Sequence, residues 1–122
     1  PNKLTRITEF VFVFCKKDQI DTFYCNKPIV SYRKTGQASY GNIFNFIEAK
    51  NNDGSCPYNK ATYSSDLCKQ LLNIYGKDGI VYDPFMGTGT TAVACKELSI
   101  NYIGSEISKN QCEWAENRLS KV

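Results

Sequence analysis

The residues with the clearest capacity for chemistry are Asp83-Pro84-Phe85-Met86-Gly87-Thr88-Gly89-Thr90-Thr91-Ala92. They contain G-x-G-x-x-A between a segment of strand character, residues 79–82, and one of helical character, residues 90–98. Glycines at such a junction let a ligand come up against the backbone, as a nucleotide-binding βαβ unit requires. Two glycines alone are also explained by a structural tight turn. Glu106 tips the reading towards a binding site. It ends the next strand, 23 residues beyond Asp83, where a nucleotide site of this kind sets a carboxylate on the ribose hydroxyls.

Charge selects among nucleotides. A phosphate-cradling P-loop needs G-x-x-x-x-G-K-[ST], and no lysine follows these glycines. A dinucleotide pyrophosphate rests on the helix N-terminus, yet Asp83 stands just before the glycines, where it repels phosphate and attracts a cation. S-adenosylmethionine has an adenosine to place, no phosphate, and two positive charges, a sulfonium and an ammonium. Asp83 and Glu106 fit that ligand better than NAD or ATP. The chain has no histidine, which excludes a Ser-His-Asp triad, a Cys-His pair and histidine-ligated metal. Its six cysteines contain no C-x-x-C pair, so structural zinc is not expected. Several lie among apolar neighbours and read as reduced, intracellular thiols rather than a disulfide framework.

The elements that must position these groups follow from pattern. In residues 61–122, Ser64 or Ser65 caps a helix carrying Leu67, Cys68, Leu71, Leu72 and Tyr75, and Gly76 ends it. Residues 79–82 form a strand, residues 90–98 a helix and residues 101–105 a second strand. Ser108-Lys109-Asn110-Gln111 has the form of a capping box opening a last helix, with Cys112, Ala115 and Leu119 on one face and Trp114 as a packing residue. Strand, glycine loop, helix, strand and helix make a βαβ unit with parallel strands. Residues 1–60 read as strands and irregular segments: a buried strand over residues 9–15, a return over residues 20–25, a loop with Pro28, Gly36 and Gly41, and a short strand over residues 42–47. Phe10, Phe12 and Phe14 are expected in the core. The domain expectation is one unit over residues 1–122, a strand-rich part in 1–60 and a cofactor-binding βαβ half in 61–122.

The bulk properties are those of an ordinary soluble domain: 122 residues, 42% hydrophobic and 22% charged. No apolar run approaches the ~20 residues of a membrane span. Residues 1–60 carry nine basic side chains against five acidic, and residues 61–122 carry six against seven. A mildly basic half suits nucleic acid, and a solvated surface explains it equally well. Arg33 and Lys34, in Tyr32-Arg33-Lys34-Thr35-Gly36-Gln37, are the candidate phosphate contacts. Phe85 either packs against an adenosine or closes the pocket, and Glu9 either orients part of a site or ends a surface strand. Pro1 stands where an initiator methionine would, and the only methionine is Met86, so a piece of a longer reading frame is expected.

The segment Val81-Tyr82-Asp83-Pro84-Phe85-Met86-Gly87-Thr88-Gly89-Thr90-Thr91 resembles the D-P-F-x-G-x-G-T-T motif of DNA amino-methyltransferases. Tyr102-Ile103-Gly104-Ser105-Glu106-Ile107 is similar to that family's Y-I-G-x-E-I strand, and Asn117-Arg118-Leu119 to its A-x-x-R-L close. Residues 59–67 resemble H-P-A-x-F-P-x-x-L, with Asn59, Lys60 and Ser64 in place of the histidine and the two prolines. Residues 4–16 look like the strand following the family's catalytic region. The resemblance implies a Rossmann-like α/β methyltransferase fold, incomplete here, with a mixed sheet and flanking helices. It implies S-adenosylmethionine held by Asp83, Pro84, Phe85, Gly87, Gly89, Thr90, Thr91, Glu106 and Ile107, with Tyr63 and Ser64 near its methionine end, and no metal.

The motif order is that of the permuted β class, in which a [DNS]-P-P-[YFW] tetrapeptide precedes everything seen here and engages the flipped base. This chain has no Pro-Pro, so no catalytic residue is expected in it. The resemblance implies methylation of adenine N6 or cytosine N4 in double-stranded DNA, a prokaryotic or viral origin, cytoplasmic location and a restriction-modification setting. The target base stays open. Two other readings are a non-catalytic Rossmann-like binding module and an S-adenosylmethionine enzyme acting on RNA or protein. Without the catalytic strand beside it, one edge of residues 80–83 lacks a partner; residues 10–15 close it, or a second copy does, making a homodimer.

Overall fold

The computed structural model describes residues 9–22, 27–50, 52, 54, 56–57, 59, 61–76 and 79–122. The expectations for residues 4–8, for Lys60 and for residues 23–25 of the return strand fall outside them, and residues 20–22 of that return lie in a 3-10 helix instead of a strand. The element order is a 3-10 helix (Lys17–Thr22), β1 (Ile29–Tyr32), β2 (Ala38–Tyr40), α1 (Ser65–Tyr75), β3 (Ile80–Asp83), α2 (Thr90–Glu97), β4 (Asn101–Gly104) and α3 (Lys109–Leu119).

The C-terminal part is α/β. β3 and β4 run parallel, with Ile80 opposite Asn101 and Asp83 opposite Gly104, and α2 connects them. Parallel neighbours need such a crossover. One face of the pair is covered: Val81 and Tyr102 pack with Leu98 and Ile100 against Cys68 and Leu72 of α1 and Ala94 and Cys95 of α2. Ala94 and Cys95 are fully buried, and their small side chains let the two helices approach closely. The alternate residues Ile80, Tyr82 and Ile103 stay exposed on the other face, as the two-residue period of a strand dictates.

Local signals set the helix ends. Ser64 is the N-cap of α1, its Oγ accepting the Leu67 N–H at 3.3 Å, and the Gly76 N–H closes the helix on the Leu72 carbonyl at 2.7 Å. α2 ends with Ser99 in the left-handed region (φ 58°). The Ile100 N–H then reaches the Cys95 carbonyl at 2.9 Å, and the Ser99 N–H reaches Lys96 at 3.1 Å. These are the two bonds of a Schellman close.

Several expectations for the first half are revised. The loop foreseen around residues 28–41 is an antiparallel hairpin, β1 on β2, turning through Arg33 to Gly36, where Gly36 takes φ 81°. Residues 42–47 are not a strand. The aromatic run at residues 10–14 forms no ladder, and Phe10, Phe12 and Phe14 are 78, 72 and 88% exposed. Strand propensity makes a segment extended, but burial needs a covering layer, and none of the described residues supplies one. β3 pairs only with β4 among the described residues, so the 10–15 segment does not close its free edge. The five cysteines among the described residues are free thiols, and Cys56, Cys68 and Cys95 are buried. Among the described residues no helix is long and apolar enough to cross a membrane.

Candidate functional site

The site forms where β3 and β4 end side by side. The ladder continues past the strands: the Ser105 N–H donates to the Asp83 carbonyl at 3.0 Å and the Met86 N–H to the Ser105 carbonyl at 2.9 Å. The chain then turns through Gly87 (φ 54°) and Gly89 (φ 79°) into α2. Gly89 is required twice over. Its backbone is left-handed, and a Cβ there would stand 2.8 Å from the Ala115 Cβ of α3. The Met86 side chain leans over Gly104 and occupies the space that a Cβ there would take.

Two carboxylates bracket the loop. Asp83 accepts the Phe85 N–H on Oδ1 at 3.1 Å and the Thr91 hydroxyl on Oδ2 at 2.6 Å. Thr91 lies in the first turn of α2, so Asp83 faces the positive end of that helix. The Tyr63 hydroxyl lies 2.6 Å from the Thr91 hydroxyl. Since Thr91 donates to Asp83, it accepts from Tyr63, and a chain of hydrogen bonds runs Tyr63 to Thr91 to Asp83. Burial pushes the Tyr63 phenol above its usual range, against the lowering effect of the Thr91 bond. Burial likewise pushes the neighbouring Cys68 thiol up to about 11, keeping it neutral.

Glu106 reaches back across the loop. Its Oε2 accepts the Gly87 N–H and its Oε1 the Ser108 N–H, both at 2.8 Å. The Ser108 N–H, with those of Gly87 and Ile107, holds the carboxyl below its ordinary value of 4.5. Neither Asp83 nor Glu106 forms an ion pair with a lysine or arginine among the described residues. Phe85 and Ile107, 87 and 103% exposed, stand beside the two carboxylates as uncovered apolar side chains.

The structure brings Asp83, Gly87, Gly89, Thr91, Glu106 and Tyr63 into one hydrogen-bonded or packed set. Pro84, Phe85 and Ile107 sit at its rim. Ser64 and Thr90 turn elsewhere. Ser64 is 3% exposed and caps α1, while the Thr90 hydroxyl faces α3. The Ser108–Gln111 capping box does not form, since Ser108 makes no side-chain cap bond and Glu106 meets its amide instead. Arg33 and Lys34 lie on the exposed β1–β2 turn, apart from the side chains bonded to the loop. Glu9 is exposed in the unpaired segment.

Sequence reasoning missed what lies behind the loop. Arg118 Nη1 donates to the Thr88 carbonyl at 3.1 Å, the Thr88 hydroxyl at 3.3 Å and the Thr90 hydroxyl at 3.1 Å. Asn59 Nδ2 meets Gln111 Oε1 at 3.5 Å, and the Thr62 hydroxyl lies 3.4 Å from that of Thr88. Gln111, Ala115 and Arg118 are spaced i, i+4, i+7, which was the available signal for a helix face turned towards the loop.

A family model for N6/N4 enzymes, described as DNA methylase, matches residues 1–117. The orphan methyltransferase M.BamHII of Bacillus amyloliquefaciens is 29% identical over 97% of this chain and 56% of its own length. The type II methyltransferase M.MjaII of Methanocaldococcus jannaschii is 44% identical over 56% of this chain and 13% of its own length. A crystal structure of M1.HpyAVI, 42% identical, covers 48% of this chain and 30% of its own, with a TM-score of 0.46. The chain thus spans little more than half, or less, of the relatives it matches.

Proposed function

Because the chain belongs to the DNA methylase family, we propose that it is the S-adenosylmethionine-binding part of a site-specific DNA methyltransferase, acting on adenine N6 or cytosine N4. The observation that carries this reading is the Asp83 carboxylate fixed on Thr91 in the first turn of α2. The positive helix end that a pyrophosphate would use is already met by a protein anion. What remains is a loop flanked by two carboxylates without cationic partners, suited to a ligand that is itself positive.

The chain's own residues account for binding. A carboxylate offers about four acceptor positions. The Gly87 and Ser108 amides take one on each Glu106 oxygen, which leaves capacity for ribose hydroxyls. Phe85 and Ile107 offer apolar surface to an adenine ring. Gly87 and Gly89 take the left-handed backbone that turns the loop from β3 into α2. S-adenosylmethionine, when bound, supplies a methyl group on a positive sulfur. Tyr63 and Thr91 hold the Asp83 carboxylate in place as a fixed negative charge.

Double-stranded DNA is the partner of the whole enzyme in this reading, through base capture by a Pro-Pro tetrapeptide that these 122 residues do not contain. Calorimetric titration of the purified chain tests the binding claim. S-adenosylmethionine should bind more tightly than NAD or ATP, and Asp83→Asn should weaken it about tenfold or more, through lost charge-assisted bonds. Tighter binding of NAD or ATP refutes the assignment.

A further inference from the structure

We infer that Arg118 is a positioning residue for the glycine loop, holding it from behind in the shape that receives the cofactor. This inference rests on the proposed cofactor reading for its functional consequence, though not for its geometry. Arg118 lies near the end of α3, in the N-R-L segment, and its Nη1 meets Thr88 and Thr90.

Thr88 and Thr90 alternate with the two loop glycines and point away from the open side. They are 4 and 3% exposed, so their hydroxyls and the Thr88 carbonyl depend on protein partners. One guanidinium nitrogen serves all three, at 3.1–3.3 Å. Gln111 and Ala115 prepare the same surface. A Cβ on Gly87 would meet Gln111 Oε1 at 3.2 Å, and one on Gly89 would meet the Ala115 Cβ at 2.8 Å. The loop therefore lies along one face of α3: Gln111 beside Gly87, Ala115 beneath Gly89, and Arg118 gripping the threonines between and after them. Glu106 ties the opposite side of the loop through the Gly87 amide. Held from both sides, the loop meets a ligand without first losing conformational freedom, and that preorganisation appears as affinity.

All three contacts come from one nitrogen, so a lysine ammonium, with three donors, can replace much of the grip, whereas Arg118→Met cannot. The experiment measures S-adenosylmethionine affinity and amide hydrogen exchange on the full chain, its Arg118→Met and Arg118→Lys variants, and Thr90→Val. Arg118→Met should raise the Kd about tenfold and speed exchange at Thr88–Thr91 by a similar factor, leaving Leu71 and Leu72 of α1 unchanged. Arg118→Lys should recover most of both, and Thr90→Val should show a smaller loop-confined change. Unchanged loop exchange in Arg118→Met overturns the inference. So does an increase shared equally by α1, which would mark Arg118 as general scaffold. Should Arg118→Met not fold, Thr90→Val decides by the same comparison. If the parent chain binds no S-adenosylmethionine, the cofactor reading fails, while loop exchange still decides the role of Arg118.

Discussion

At the scale of single residues, the two acids that define the site do more than face a ligand. Glu106 was legible in the sequence as a candidate ribose acceptor because its spacing from Asp83 is a one-dimensional signal. Its grip on the Gly87 and Ser108 amides was not, because those bonds depend on how β4 turns into α3. They have a pH signature. A carboxyl held below 4.5 in the folded chain contributes its full share above that value and loses it only as pH falls through the lowered one. The Gly87 and Ser108 amide resonances should therefore titrate with pH, with a midpoint below 4.5. A midpoint at or above 4.5 would mean that the bonds are not made in solution. Arg118 illustrates the opposite case. Its motif was visible, but nothing in the order of residues says that one guanidinium serves two threonines some thirty positions earlier.

At the scale of elements, residues 61–122 were read closely and residues 1–60 poorly, for one physical reason. α1, β3, α2 and β4 bury one another, so the apolar period in the sequence matches the burial found. The aromatic run at 10–14 has the period of a strand and no covering layer, so period and burial part company. The hairpin was missed because β1 carries no alternation of burial, all four residues being exposed. Two substitutions test how the elements are joined. Ser99 ends α2 in a left-handed conformation that glycine adopts without steric cost. Ser99→Gly should raise the stability of the chain in urea titration by up to about 1 kcal/mol, the relief of the left-handed cost outweighing the greater unfolded-state entropy of glycine. Gly89→Ala should do the reverse, lowering it by about 1–3 kcal/mol, since its methyl group meets Ala115. Equal stabilities for Gly89→Ala and parent would mean that α3 does not lie against the loop.

At the scale of the whole molecule, one face of the β3–β4 pair is packed and the other carries Ile80, Tyr82 and Ile103 in the open. A set of exposed apolar side chains on regular structure is a surface for association. In the proposed reading the glycine loop receives the cofactor, while the sequence contains no Pro-Pro tetrapeptide to engage a base. In-line methyl transfer requires the target amino nitrogen to approach the sulfonium carbon, with the base held outside the duplex. That nitrogen is a poor nucleophile, because its lone pair is delocalised into the ring. Hydrogen bonds from its protons to a polar side chain and a backbone carbonyl favour the tetrahedral geometry needed for attack. Asp83 is not available for this, since its bonds to the Phe85 amide and the Thr91 hydroxyl commit it to the glycine loop. No histidine exists to take the proton, and no Pro-Pro tetrapeptide supplies the acceptors. The expected outcome is that these 122 residues alone, purified and given S-adenosylmethionine, transfer no tritiated methyl group to unmethylated genomic DNA. Incorporation above background that disappears in Asp83→Ala would show that base capture is built from residues other than the tetrapeptide, and the exposed face around Tyr82 and Phe85 would be the place to look for it.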